Sequence, residues 1–142
     1  MARRSRRTSL IAALALSGFA LVAMGPTRPD EPATVEEAME SIEHAIEELP
    51  DQLGKPDALK TVWELERLAL AAKSMTPKRL KGGASEENLA AYRKAQIELV
   101  RRLLDLEAQI IDGKTDEARQ TLDAIDELRL RGHRQFKGRA GW

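Results

Sequence analysis

The chain contains no cysteine in its 142 residues. Disulfides, thiolate metal ligands and covalent thioether links are thereby excluded, and cysteine usage says nothing of the redox compartment. Aromatic residues make up only 4% of the sequence, and histidine is confined to His44 and His133. Charge of neither sign dominates, with 23 Lys plus Arg against 23 Asp plus Glu. No internal repeat, Gly-rich phosphate loop or low-complexity tract occurs. No nucleophile and base constellation is visible, and no carboxylate pair has an evident reason to be buried, so enzyme chemistry lacks support. The one sustained apolar run, from Leu10 to Met24, is shorter than the roughly 20 residues that span a bilayer.

What the sequence does have is abundant Ala, Leu and Glu among scattered Arg and Lys, the composition of a helical protein. Its balanced charge is unevenly distributed. Arg3, Arg4, Arg6 and Arg7 precede an uncharged stretch, and small residues occur toward the end of its apolar run, around Gly18-Phe19-Ala20 and Ala23. That order is the pattern of an export signal, expected over residues 1–23. Ser5-Arg6-Arg7-Thr8-Ser9-Leu10 loosely resembles a twin-arginine signal, but Ser9 stands where Phe is usual, so the general secretory route is expected. Lipoprotein anchoring is excluded by the missing cysteine. Cleavage after Ala23 leaves 19 Lys plus Arg against 23 Asp plus Glu, a net of −4. A mildly acidic mature protein is a poor candidate for nucleic acid binding, and no permanent membrane anchor is expected.

Residues 24–33 hold Pro26, Pro29 and Pro32 and read as an extended spacer. The folded part is expected over residues 34–137, with a tail at 138–142. Thr34 and Glu37 form a capping box for a first helix running to about Leu49, where Pro50 and Gly54 break it. Pro56 suits the start of a second helix that closes near Thr76-Pro77. Ser85 caps a third, whose Leu89, Tyr92, Gln96, Leu99, Leu103, Leu106 and Ile110 alternate by three and four. Thr115 with Asp116 and Glu117 opens a fourth, which is expected to fray near Phe136.

Four helices with mostly short connections imply an all-α, antiparallel up-down-up-down four-helix bundle. Roughly 110 residues suffice for one core and not for two. In that topology the start of the first helix, the end of the second, the start of the third and the end of the fourth share one end of the bundle. Met39, Met75, Tyr92 and His133 are therefore candidates for one neighbourhood. On the helix wheel His133 lies about 20° from Leu122 and Met39 about 20° from Ile46, so both point inward. His44 lies about 160° from Ile42 and belongs on the surface. Taken alone, an inward Met is ordinary core filler and a His near a helix end ordinarily complements the dipole.

Several separated stretches carry more than periodicity. From Ala38 onward, Met39-Glu40-Ser41-Ile42, Ala72-Lys73-Ser74-Met75-Thr76-Pro77-Lys78, Tyr92-Arg93, Gly113-Lys114-Thr115-Asp116-Glu117-Ala118, and Arg129 with His133 follow the order and spacing of the cytochrome b562 family, which the chain resembles. The resemblance implies a periplasmic electron-transfer protein that binds one haem b, with Met39 and His133 as the axial ligands. Related bundles attach haem through Cys-x-x-Cys-His; here Arg129 and Gly132 occupy the two Cys positions, so the haem would be held non-covalently. Two filled axial positions leave no site for dioxygen, and Met/His ligation favours a raised potential. The resemblance also implies that Tyr92 and Leu65 line the haem pocket and that Arg129 is available to a haem propionate. By themselves Tyr92 and Leu65 are ordinary core residues and Arg129 an ordinary solvated charge. An unidentified periplasmic redox partner is implied as well.

The chain departs from the family pattern in two places. Gln96 stands where an aromatic residue tends to face the haem, and Gly132 replaces a bulky residue just before the histidine. Glycine there costs about 1 kcal/mol of helix propensity, and both changes point to weaker haem binding. A second reading is a haem-free exported helical bundle that binds a partner protein or a soft metal such as copper(I) through Met and His.

Overall fold

The computed structural model describes residues 32–137, so the expected export signal, most of the spacer and the tail lie outside the described residues. Four helices form: α1 (Val35–Gln52), α2 (Asp57–Ser74), α3 (Glu86–Ile111) and α4 (Thr115–Phe136). No strand occurs among the described residues. Consecutive helices pack side by side, and α4 returns to α1 to close the ring, which makes the all-α bundle expected from the sequence.

Local chemistry accounts for the helix ends. Thr34 accepts the Glu37 N–H at 3.2 Å, and the Glu37 carboxylate accepts the Ala33 N–H at 2.8 Å, so two otherwise orphaned donors are satisfied reciprocally. Ser85 caps α3 by accepting the Asn88 N–H. Thr115 is the first residue of α4 rather than its cap, and Gly113, at φ 71°, makes the turn that precedes it.

Pro50 does not end α1. It sits inside the last turn, which runs on to Gln52 and is closed by Leu53 N–H donating to the Leu49 carbonyl at 3.1 Å. Proline removes one hydrogen bond and disfavours a helical residue before it, but that residue, Leu49, is fully buried, and its packing prevails.

The end of α4 does not fray either. Phe136 is buried, its carbonyl accepts the Lys81 N–H at 2.9 Å, and Leu80 bridges to Lys137. The α2–α3 connection, residues 75–85, is the long one, and it crosses the end of the bundle to pin the last turn of α4. A single-helix reading sees only the apolar period running out, not this partner from elsewhere in the chain.

Hydrophobic side chains gather in two clusters. The larger runs through the bundle from Leu49 and Ala58 to Leu128. The smaller joins Val35, Leu80, Tyr92 and Phe136 at the end where α4 terminates. Met39 packs against both. Around the ring, the α1–α4 seam is far less closely packed than the other three.

Candidate functional site

The gap between the two clusters is a cavity lined by α1, α3 and α4, with no residue of α2 on its wall. It lies along the sparse α1–α4 seam. Met39, Ile42 and Ile46 come from α1, Tyr92, Gln96 and Leu99 from α3, and Arg129, His133 and Phe136 from α4. Its surface is almost wholly apolar and it encloses about 40 Å³, room for a few waters at most. A guest the size of a porphyrin exceeds this volume as it stands.

Of the residues singled out from the sequence, Met39, Tyr92, Arg129 and His133 all line this cavity. Leu65 does not: it is fully buried in the larger cluster, on α2. Met75 packs against the smaller cluster beside Tyr92. His44 is exposed and meets Glu48 one turn on, at 3.3 Å.

His133 is half-buried, and its Nε2 is shielded from solvent. Burial lowers its pKa below the ordinary histidine value, Glu43 pulls the other way, and Lys137 and Arg129 reinforce the lowering. The imidazole is therefore held neutral near pH 7, the form that donates a lone pair to a metal. Tyr92 anchors the neighbouring wall. Its hydroxyl donates to the Ala72 carbonyl at 2.9 Å, and its ring meets Phe136 edge-on, with centroids 5.8 Å apart. Burial first, then the nearby Glu36 charge, raise the Tyr92 pKa far above the ordinary tyrosine value.

Arg129 forms the rim. Its side chain is 12% exposed and is gripped from two helices, by Glu43 of α1 and by Asp126 of α4, the latter at 2.8 Å. This ion pair bridges the sparsest seam of the bundle directly beside the cavity.

Gln96 is the one buried polar residue outside the helix backbones among the described residues. Its amide donates to the Met39 sulfur at 3.8 Å, while its carbonyl oxygen is buried without a hydrogen-bond partner. An unsatisfied buried acceptor of this kind costs about 1–3 kcal/mol.

Four features were not read from the sequence. Phe136 falls about 40° from Leu122 on the helix wheel, so the same period that placed His133 inward would have found it. The Glu43 partner of Arg129 and the Gln96–Met39 contact join residues of different helices, and no spacing within one helix shows them. A carboxylate pair also exists: Glu66 of α2 faces Glu107 of α3, and burial together with that neighbour raises the Glu66 pKa. It lies on the α2–α3 seam, away from the cavity.

A thioether and a neutral imidazole from different helices on one apolar cavity, with a guanidinium at the rim, form a donor set that suits haem iron. The architecture falls in the class of helix bundles whose cofactor sites are built in the core from side chains on facing helices. Within that class, the chain belongs to the cytochrome b562 family, whose sequence model matches residues 34–137. It is a family of haem-binding electron carriers, not of enzymes. No curated protein matches the chain. Among the described residues, no helix is long and apolar enough to cross a membrane.

Proposed function

We propose that this chain is an exported, periplasmic electron-transfer cytochrome that binds one haem b non-covalently, with Met39 and His133 as axial ligands. The observation that carries the proposal is that these two side chains, 94 positions apart in the sequence, line one apolar cavity. When bound, the haem supplies a reversible one-electron couple, and the protein supplies the rest. Met39 offers a soft sulfur from α1 and His133 a neutral nitrogen from α4. The apolar walls exclude water, which favours the less charged, reduced state. Tyr92 and Phe136 hold the end of the cavity rigid through their edge-on contact. Arg129 keeps a positive charge at the rim, where it can exchange one of its two carboxylate partners for a propionate. The redox partner remains a separate protein in the same compartment, and the chain uses no nucleic acid.

Gln96 favours a haem-free reading, a bundle binding a partner protein, because its amide already engages the Met39 sulfur; copper(I), the other guest of that second reading, would have to displace the same contact. One titration separates the two. Haem b added to the purified protein gives sharp low-spin visible bands on reduction if the proposal holds. Met39→Ala and His133→Ala each abolish those bands while leaving the helical circular dichroism in place. A broad spectrum of loosely adsorbed haem from the wild type, or copper(I) binding that depends on the same two residues in its place, overturns the cytochrome reading.

A further inference from the structure

The face of the bundle opposite the α1–α4 seam carries a pattern that electron transfer does not use. Trp63 and Leu70 of α2, with Ile97, Leu104 and Ile111 of α3, are all 38–64% exposed. A large apolar side chain exposed singly is ordinary, but five gathered in one stripe are not.

Within each helix these residues stand seven apart, the spacing of a coiled-coil seam. Successive members drift by only about 20°, so each series stays on one flank. Which flank is fixed by Trp63, whose indole N–H donates to the Glu107 carboxylate at 2.6 Å. Glu107 lies about one turn from both Leu104 and Ile111, so Trp63 reaches α3 between them. The antiparallel course of the two helices then sets Leu70 at the level between Ile97 and Leu104. The stripe alternates between α3 and α2 along the outside of their seam.

Beyond it runs a charged rim. Lys94, Arg101, Asp105 and Asp112 are exposed and lie within about 40° of one another on the α3 wheel. Glu87, exposed at the same angle as Asp105, opens the rim, which is then basic at Lys94 and Arg101 and acidic at Asp105 and Asp112. Asp112 also meets Lys114 at 3.1 Å, a fully solvated contact of little strength.

We infer that this stripe is the interface of a homodimer in which two bundles meet antiparallel through their α2–α3 faces. A two-fold axis at Leu104 sets Leu104 against its own copy and Ile97 against the copy's Ile111. The same axis keeps the two rims on one side of the interface, because an isologous contact is self-complementary. Measured along the helix axis, Lys94 and Arg101 then stand level with the copy's Asp112 and Asp105 to within about one helical turn. It is the order of these four charges that selects a second copy as the occupant: the chain's own face reversed supplies the matching signs, while Glu87 falls beyond the end of the copy's α3. Both cavities remain on the outer sides of the dimer, open to haem and to a redox partner. The inference stands whether or not haem is bound.

Sedimentation velocity on the protein purified from the cells that make it tests this across a concentration series at low salt. The expected result is a species of twice the monomer mass whose share rises with concentration. Leu104→Glu places carboxylates face to face at the two-fold axis and raises the dissociation constant more than about tenfold. Leu104→Ala, which keeps helix propensity, acts in the same direction, and neither variant loses helical circular dichroism because the side chain is outside the core. Arg101→Glu weakens the dimer, and combining it with Asp105→Arg restores it. A monomer at every concentration up to about 1 mM, a dimer indifferent to Leu104→Glu, a charge exchange that fails to restore association, or a complex formed only with a different protein each overturns the inference.

Discussion

In the core layer toward Gly54 and Gly113, Leu49, Val62, Leu103, Leu106 and Ile125 belong to one cluster, each fully buried and with no polar side chain among them; beyond that layer a solvent-open cleft of about 390 Å³ lies among Leu53, Pro56, Leu59 and Ile110. At the other end the same helices bring together Met39, Gln96, Arg129 and His133 around a cavity. The core formed by these four helices is therefore close-packed toward one end, its closed end, and leaves an enclosed gap between α1, α3 and α4 toward the other, its open end. The closed end gains its stability from dispersion and the removal of apolar surface from water. The open end gives up some of that in exchange for a place to put a guest.

The comparison breaks hardest under truncation. Leu103→Ala, at the closed end, is expected to destabilise the protein by about 2–5 kcal/mol, the range for a fully buried leucine. His133→Ala without haem is expected to cost far less, since its side chain already borders open space. Urea unfolding of the two variants measures the difference, and equal costs would mean that the ends do not differ. Tyr92→Phe comes next. It leaves the Ala72 carbonyl without its 2.9 Å donor and is expected to cost about 1–1.5 kcal/mol in the same assay.

Gln96→Leu is the converse experiment. It removes a buried, unsatisfied carbonyl and releases the Met39 sulfur, so the haem-free protein is expected to gain about 1 kcal/mol and haem to bind more tightly, as read by midpoint and by haem titration. The smallest expected effect is in pH. The His133 pKa is lowered on folding from an ordinary 6.5, so the unfolded chain takes up a proton more readily than the native one. The contribution of His133 to stability is then complete above about pH 6.5 and is lost as pH falls through the native value. The difference in urea midpoint between wild type and His133→Gln, followed from pH 7.5 to 5, is expected to shrink with acid.

Much of this was legible in the sequence because it depends on one helix at a time. The inward direction of Met39 and His133 is a matter of 3.6-residue period, and short loops dictate which helix ends are neighbours. The Thr34 and Ser85 caps could be read for the same reason. Pro50 could not, because whether a proline ends a helix depends on what anchors the residue before it, and Leu49 is anchored by the other helices. Leu65 lies deeper in the core than the family resemblance implied, since the cavity opens along a seam that α2 does not share. The Glu43–Arg129 bridge and the Gln96–Met39 contact are pairings between helices, set by how far each is rotated and shifted against its neighbour. The stripe of Trp63, Leu70, Ile97, Leu104 and Ile111 was present in the sequence at heptad spacing, yet only the Trp63–Glu107 bond places its two halves on one surface.

The tie between the α2–α3 connection and the last turn of α4 also bears on how the cavity opens. Lys81 reaches the Arg134 carbonyl across 53 positions of chain, a contact at the exposed end of the bundle. The connection does not line the cavity itself, but it holds the turn of α4 that carries Phe136, which does. Contacts that lie nearest solvent are the first to open. Opening of that tie would loosen the last turn of α4, which carries Phe136 of the cavity wall, and would ease the entry of a planar guest.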